Sequence, residues 1–197
     1  GCYIVYDENS REAAVIDPGD NAPSILHAIA EEKLTVQYVL LTHAHFDHIL
    51  AAHEVLEKTG AKYVVPEGDL WLLKHENMRP FRALARGYVE DTPDIVATEG
   101  TQVTFGGLTA TYMNTPGHTP GSSVIQIEDC LFTGDTLFRH ECGRCDLEGG
   151  DFSQMLHSLK RLHDLEGDYK VLPGHEGLST LSEERVANSY MLQAVGK

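Results

Sequence analysis

The segment His43–His48, with the sequence HAHFDH, contains the densest group of metal-capable side chains in the chain. It directly follows the apolar run Val39–Leu41. Neutral imidazoles and a carboxylate are ligands that suit Zn²⁺, Fe²⁺ or Mn²⁺. A hydrophobic core would not tolerate this many polar rings, because each buried imidazole needs a hydrogen-bond partner. The segment therefore predicts a metal site at the end of a buried strand.

Three later loops each place one metal-capable side chain after a predicted strand, and these side chains are His118, Asp135 and His175. A glycine precedes each of them, which allows the backbone to pass close to other groups. Strand ends in a layered sheet converge on one edge, where loops can build a site. The three loops and the segment His43–His48 together indicate a single shared site.

The composition of the whole chain limits the kinds of function. Its 197 residues, 42% hydrophobic and 23% charged, are typical of a soluble globular protein. The formal charge of −15 argues against nucleic acid or an anionic membrane as a partner. The four cysteines are too few for a disulfide scaffold, which favours a reducing cytoplasm. The CxxC pair Cys142 and Cys145 is interpreted as two unpaired thiols, with a redox or metal role as the alternative.

Strands and helices alternate along the chain in two rough halves, which favours an α/β layered architecture. The segment 77–93 has weak periodicity and is expected to form a loop or lid. Strands are predicted at 2–6, 13–16, 36–41, 62–65, 102–105, 108–114, 122–127, 130–133 and 170–172. Helices are predicted at 22–33, 47–58, 67–75, 152–165 and 181–192.

The four motifs together resemble the metallo-β-lactamase superfamily, and within it the glyoxalase II enzymes, which hydrolyse hydroxyacylglutathione. The resemblance rests on Leu41–His48, Thr115–Ser122, Thr133–Phe138 and Pro173–Glu176. It implies an αβ/βα sandwich of two mixed sheets with helices on the outer faces, formed by residues 1–197 as a single domain. The chain looks like the short bacterial relatives that lack a helical C-terminal domain. Its N-terminal strand is expected to be truncated.

The resemblance also implies a binuclear metal centre. Zinc is the expected metal, with iron or manganese as alternatives. A metal-held hydroxide would be the nucleophile, with Asp47 and Asp135 as catalytic residues. An aspartate at 135, in place of the thiolate of common zinc β-lactamases, favours a thioester hydrolase. The implied ligands are His43, His45 and His118 for one ion, Asp47, His48 and His175 for the other, and Asp135 as the bridge.

Substrate recognition is expected near Arg144, which matches a cation that binds the glutathione carboxylate in glyoxalase II. The alternative is an exposed arginine, or one that pairs with Asp146. His140 is a second expected substrate contact. The expected partner is a small-molecule thioester, with neither nucleic acid nor membrane involved.

Other functions stay open at this point. The tripeptide Arg144–Asp146 also resembles persulfide dioxygenases, which share the fold and bind a single iron. A lactone or ester hydrolase of the same fold is a further alternative. A non-catalytic metal-binding module is disfavoured, because all seven implied ligands are present.

Overall fold

A computed structural model describes residues 1–81, 83 and 86–197 of the chain. The chain divides into two compact units. Unit 1 comprises residues 1–97 and 103–109, and unit 2 comprises residues 98–102 and 110–197. Of the segment 77–93, predicted as a loop or lid, positions 82, 84 and 85 lie outside the described residues. A 3-10 helix occupies His75–Phe81.

Unit 1 is built on a five-stranded mixed sheet in the order β1-β2-β3-β4-β5. The first two strands form the predicted antiparallel hairpin, and the remaining pairs are parallel. The three residues of β5 are too short to show the alternation that identifies a strand in sequence, so this strand was not predicted. The bounds are β1 Tyr3–Tyr6, β2 Glu12–Ile16, β3 Thr35–Leu40, β4 Lys62–Pro66 and β5 Ile95–Ala97.

Two α-helices pack on the apolar side chains of this sheet. Helix α1 spans Ala22–Glu31 and begins at Asn21, whose side chain accepts the Ser24 N–H as predicted. Helix α2 spans Ala52–Thr59 and ends at Gly60, which has the positive φ of a C-cap glycine. Their inward-facing residues form one core with the strands, which includes Ile25, Ile29, Val39, Leu41, Val55 and Val65.

Unit 2 contains most of a six-stranded mixed sheet, in the order β13-β12-β9-β8-β7-β6. Strands β9 and β12 run parallel, while β7, β8 and β9 form antiparallel pairs. A separate two-stranded ribbon pairs β10 with β11. The bounds are β6 Gln102–Phe105, β7 Leu108–Asn114, β8 Ser123–Ile127, β9 Cys130–Gly134, β10 Leu137–Phe138, β11 Glu141–Cys142, β12 Lys170–Pro173 and β13 Ser179–Thr180.

Two helices of unit 2 begin at the predicted caps. Helix α3 spans Phe152–His163, and the Asp151 carboxylate accepts the Gln154 N–H. Helix α4 begins after Thr180, whose hydroxyl accepts the Glu183 N–H. The core of this unit joins helix and strand side chains, which include Leu131, Met155, Leu159, Leu162 and Val171.

Three predicted helices differ from the structure. The prediction for 47–58 was wrong at its start, because Phe46–His48 form a short 3-10 turn and α2 begins only at Ala52. The segment Glu67–Leu73 is 3-10 rather than α-helical. The last helix is split into α4 (Leu181–Ala187) and α5 (Ser189–Ala194).

Side-chain hydrogen bonds to the backbone explain the last of these differences. The Asn188 amide oxygen accepts the N–H groups of Tyr190 and Met191, so it starts a new helix where the earlier one would continue. No helix among the described residues is long and apolar enough to cross a bilayer.

Candidate metal centre

The ligand segment of unit 1 is held at the carboxyl ends of two parallel strands. Ile16 of β2 pairs with Leu40 of β3, so the residues that follow these strands are neighbours. Asp17 follows β2 directly, and its N–H donates to the Leu40 carbonyl at 3.0 Å. Thr42 and His43 follow β3. The parallel pairing therefore brings Asp17 beside the start of the ligand segment.

The buried Asp17 carboxylate is the anchor of this segment. Its oxygens accept the Thr42 N–H at 2.8 Å and the Thr42 hydroxyl at 2.5 Å. The same carboxylate accepts the His48 Nδ1–H at 3.0 Å, and both of these side chains are almost fully buried. Asp17 has a positive φ of 53°, a conformation that Asp tolerates better than most residues. One carboxylate thus orients residues on both sides of the motif.

These bonds define which nitrogen of each ring carries the proton. The Thr42 hydroxyl gives its proton to Asp17, so it accepts the Nδ1–H of His43, 3.1 Å away. His48 likewise donates its Nδ1–H to Asp17. In the neutral form, each ring therefore carries an unprotonated Nε2, which is the state that binds a metal ion.

The other two candidate ligands of this segment differ in exposure. His45 is half-buried, and its ring lies 5.2 Å from that of His43, nearly perpendicular to it. Ligand atoms of these two histidines lie within 4.8 Å of one another. Asp47 is exposed, and its Oδ2 lies 3.7 Å from Nε2 of His48. The N–H of Ala44, which lies between His43 and His45 in the chain, donates to the buried Asp69 carboxylate at 2.9 Å and fixes the backbone.

Gly19 is required for the close packing of this segment. A Cβ at this position would meet the Asp47 carbonyl oxygen at 1.8 Å. We expect Gly19→Ala to lower the free energy of unfolding by about 1–3 kcal/mol, because the backbone that carries Asp47 must shift. Gly177→Ala is the control, since its added Cβ would meet nothing closer than the Arg139 side chain at 3.9 Å. Urea unfolding of both variants measures the difference, and equal stabilities would contradict the prediction.

The candidate ligands of unit 2 also follow parallel strands. Gly134 of β9 pairs with Pro173 of β12, and the Gly174 N–H donates to the Gly134 carbonyl at 2.7 Å. Asp135 and His175 come next in the two chains. Asp135 is buried and His175 is half-exposed. The sheet register therefore brings these two residues to the same edge.

His118 reaches the same edge from the loop that follows β7. Its Nδ1–H donates to the Arg144 carbonyl at 2.6 Å, so in the tautomer that this bond selects Nε2 is the nitrogen available to a metal. The loop is held by hydrogen bonds between the Thr115 and Thr136 hydroxyls, 3.0 Å apart. Gly117 has a φ of 148°, and a Cβ there would lie 2.6 Å from Cα of Met155 in α3. Close packing on α3 thus fixes the position of His118.

The distances around Asp135 fit a bound metal ion. Its Oδ2 lies 3.2 Å from Nε2 of His118 and 3.4 Å from Nε2 of His175. Zinc bonds of 2.0–2.1 Å in tetrahedral geometry place ligand atoms about 3.3 Å apart. One carboxylate oxygen close to two imidazoles is also the arrangement that a shared ligand needs. The donor chemistry and the spacing in this unit therefore both suit a divalent ion.

Arg144 is paired with Asp146, which is the alternative that the sequence left open. The guanidinium donates to both carboxylate oxygens, each at 2.7 Å. Both side chains are more than 60% exposed. The hydrogen bonds from Arg144 lower the pKa of Asp146 to about 2. Both groups therefore stay charged through the whole pH range of an ordinary enzyme assay.

His140, the second predicted substrate contact, has a partner in α4. Its ring Nε2 lies 2.9 Å from a Glu183 carboxylate oxygen, and its backbone N–H donates to the carboxylate of the buried Glu184 at 2.7 Å. The residue has a positive φ of 60°. A substrate that used this ring would have to compete with Glu183.

Three orienting residues were missed in the sequence, namely Asp17, Thr42 and Asp69. Asp17 was interpreted only as the end of a strand. A usable signal was present, because an acidic residue directly after one buried strand and a histidine after the next one share a sheet edge if the strands are parallel neighbours. Nothing local marks Asp69, which lies 25 residues along the chain from the N–H that it accepts.

The profile of the metallo-β-lactamase superfamily matches residues 2–175, and this chain belongs to that superfamily, most of whose members are metal-dependent hydrolases. An uncharacterised protein of Mycobacterium tuberculosis is 33% identical over 96% of this chain and 92% of its own length. The hydroxyacylglutathione hydrolase GloC of Haemophilus influenzae is 28% identical with the same coverage of both chains.

Solved structures support the same assignment. BLEG-1, described as a B3 metallo-β-lactamase, has a TM-score of 0.88 and 32% identity over 96% of this chain and 93% of its own. TTHA1623 in a di-iron-bound form has a TM-score of 0.83 and 32% identity with the same coverage. ETHE1 from Myxococcus xanthus has a TM-score of 0.79 and 31% identity, over 95% of this chain and 77% of its own. The predicted metallo-β-lactamase fold, with mixed sheets and helices, is thus confirmed.

Proposed function

We propose that this protein is a binuclear metal-dependent hydrolase that cleaves small thioesters of the hydroxyacylglutathione type. On this proposal one ion binds His43, His45 and His118, and the other binds Asp47, His48 and His175. Asp135 bridges the two ions. Zinc is the proposed metal, although the di-iron form of TTHA1623 makes iron a real alternative. The four free cysteines suit a reducing cytoplasm as its location.

The orientation of three imidazoles is the observation that carries the proposal. The Nδ1–H of His43 donates to the Thr42 hydroxyl, and that of His48 donates to the Asp17 carboxylate. The Nδ1–H of His118 donates to the Arg144 carbonyl. Metal-binding histidines in proteins are held in this way, because the outer hydrogen bond selects the tautomer and orients the ring. All three side chains are almost fully buried.

The mechanism assigns a task to each part of the site. When bound, the ions supply an activated water as nucleophile and polarise the substrate carbonyl. Asp135 keeps both ions in place through one carboxylate. Asp47 is exposed, so its carboxylate could take up a proton released in the reaction and pass it to solvent. No serine or cysteine nucleophile is needed on this route.

The thioester preference follows from the leaving group. A thiolate has a pKa near 8.5, far below that of an alkoxide, so it departs without a strong general acid. The Haemophilus influenzae relative named hydroxyacylglutathione hydrolase supports the same substrate class. Asp135 offers oxygen rather than sulfur to the metals, which distinguishes this site from that of the common zinc β-lactamases.

Arg144 is the proposed anchor for a substrate carboxylate. Its guanidinium can bind a carboxylate through two parallel hydrogen bonds, as it already does with Asp146. An anionic substrate must therefore displace Asp146 or bind beside it. The pair would reduce the affinity for glutathione conjugates without abolishing it.

We expect Arg144→Ala to raise KM for S-lactoylglutathione by about 2–5-fold with a smaller change in kcat, because an exposed ion pair makes only a modest contribution to binding. Asp146→Asn should lower KM for the same substrate, since it releases the guanidinium. The matched control is Arg139→Ala, an exposed arginine whose guanidinium lies 3.6 Å from Glu183. An unchanged KM in Arg144→Ala would refute the anchor.

Metal analysis combined with a substrate panel tests the function itself. The protein is purified without added metal, analysed for bound zinc, iron and manganese, and assayed with S-lactoylglutathione, a lactone, a persulfide and a cephalosporin. Two metal equivalents and preferential thioester hydrolysis would support the proposal. A protein that binds two metals and hydrolyses only the cephalosporin or the lactone would overturn the substrate class but keep the centre.

A persulfide dioxygenase is the second candidate function. It is favoured by the tripeptide Arg144–Asp146 and by the likeness to ETHE1 from Myxococcus xanthus. This function predicts one iron per chain and oxygen uptake that depends on a persulfide. The same substrate panel separates the two candidates if oxygen uptake is also measured with the persulfide, because only the dioxygenase consumes oxygen.

A further inference from the structure

We propose that Cys142 and Cys145 form a reversible disulfide that weakens metal binding by moving the Arg144 carbonyl away from His118. This modification would make the hydrolase sensitive to oxidation. The part of the inference that concerns metal affinity rests on the proposed function, whereas disulfide formation and the loss of the His118 hydrogen bond do not.

The backbone between the two cysteines lies directly on two candidate ligands of unit 2. The Arg144 carbonyl accepts the His118 Nδ1–H at 2.6 Å. A Cβ on Gly143 would meet the Asp135 carbonyl oxygen at 1.8 Å and Nδ1 of His118 at 3.2 Å. No side chain fits at Gly143, so any shift of this loop changes its contact with both ligands.

The two thiols are neighbours in an environment that they share. Both are partly buried and pack against the same apolar cluster of unit 2. Burial, with smaller contributions from negative charges at Cys145 and Glu141, raises the pKa of Cys142 to about 12. The Cys145 thiol lies 3.5 Å from the Gly143 carbonyl oxygen. Burial likewise raises the pKa of the Cys145 thiol, so both thiols are mainly protonated at neutral pH and react through their small thiolate fraction.

An external low-molecular-weight disulfide would supply the oxidising equivalents. One cysteine thiolate attacks a sulfur of this disulfide, forms a mixed disulfide and expels one thiol. The second cysteine then attacks its neighbour's sulfur and expels the other thiol. The protein loses two electrons and two protons, and the external disulfide becomes two thiols. A dithiol such as dithiothreitol reverses the reaction.

We expect closure of so small a ring to move the backbone of the loop. A disulfide requires Cβ atoms about 3.5–4.5 Å apart and a dihedral angle near 90°. Only Gly143 and Arg144 lie between the two cysteines, so these two residues must absorb the change. Loss of the carbonyl acceptor would let the His118 ring rotate or exchange its tautomer. Such outer-sphere losses typically lower metal affinity by about 10–100-fold.

The experiment compares reduced protein with protein treated with cystamine. Peptide mass spectrometry locates the disulfide, because the peptide that contains 142–145 loses the mass of two hydrogen atoms. Proton NMR of the metal-free protein follows the hydrogen-bonded Nδ1–H of His118, assigned by its absence in His118→Asn. Competition with a chromogenic chelator measures the affinity for Zn²⁺. Cys142→Ser and Cys145→Ser cannot form the bond, and Cys130→Ser is the matched cysteine control outside the loop.

We expect the wild type and Cys130→Ser to form the disulfide, to lose the His118 signal, and to bind Zn²⁺ about 10–100-fold less tightly until reduced. The two loop variants should keep the signal and their affinity after treatment. Absence of the disulfide, or a disulfide with an unchanged His118 signal, would overturn the inference. A different result would instead refute the proposed function: the oxidised protein forms the disulfide and loses the His118 signal, but the reduced protein does not bind Zn²⁺.

Discussion

Replacement of Asp135 by alanine is expected to remove both metal ions from the purified protein and to reduce thioester hydrolysis by more than about 100-fold. Loss of outer-sphere partners alone lowers metal affinity by about 10–100-fold, and a shared ligand must contribute more. The Asp135 oxygen that lies 3.2 Å from His118 and 3.4 Å from His175 has no substitute among the neighbouring residues in our assignment. Metal content is measured by mass spectrometry of the elements, alongside the assay.

The control for this prediction is Asp129→Ala. Asp129 is an exposed carboxylate of the same unit, 3.4 Å from the Lys170 ammonium group, and an exposed pair of this kind contributes little to stability. Circular dichroism verifies that both variants are folded. Two tightly bound metals and full activity in Asp135→Ala would refute the bridging assignment. Loss of one metal only would limit Asp135 to a single ion.

Asp17→Asn is expected to weaken Zn²⁺ binding by about 10–100-fold and to lower the free energy of unfolding of the metal-free protein by about 1.5–3 kcal/mol. Asparagine keeps the shape of the side chain but replaces one acceptor oxygen with a donor. The carboxylate now serves the Thr42 N–H, the Thr42 hydroxyl and the His48 Nδ1–H. One of these bonds must be lost, and the tautomers of His43 and His48 are then no longer defined.

Asp94→Asn is the control for this prediction. It removes a carboxylate charge from the same unit without removing an acceptor of His48 or Thr42. Asp94 belongs to the same unit, and its carboxylate accepts the Tyr63 N–H at 2.8 Å. This variant should lose some stability but keep the Zn²⁺ affinity of the wild type. Chelator competition measures both affinities, and urea unfolding measures both stabilities. Equal affinities in Asp17→Asn and Asp94→Asn would show that Asp17 does not act on the metal site.

The sequence predicted the helix starts and the central strands, because these depend on interactions between residues close together in the chain. Asn21, Asp151 and Thr180 cap helices because each side chain satisfies an N–H group within the next three residues. Uninterrupted apolar runs predicted the central strands of both sheets. The prediction failed at Asp47, because the packing of Gly19 against its carbonyl determines the backbone there.

The candidate site shows the same division. Residue types and motif spacing were sufficient to single out His43–His48, His118, Asp135 and His175 as candidate ligands and to identify the superfamily. Which nitrogen of each ring faces outward was not predictable. That depends on Asp17, 25 residues from Thr42, and on the Arg144 carbonyl, 26 residues from His118.

The sequence by itself thus determined the family and the chemistry of the ligands, because imidazoles and carboxylates after buried strands have few other uses. Only the tertiary structure decided how the ligands are held and whether Arg144 is occupied. Hydrogen bonds between distant segments form when strands pair in register, and side-chain spacing along the chain carries no record of that register. The pairing of Arg144 with Asp146 was one of two open alternatives until the conformation of the loop resolved it.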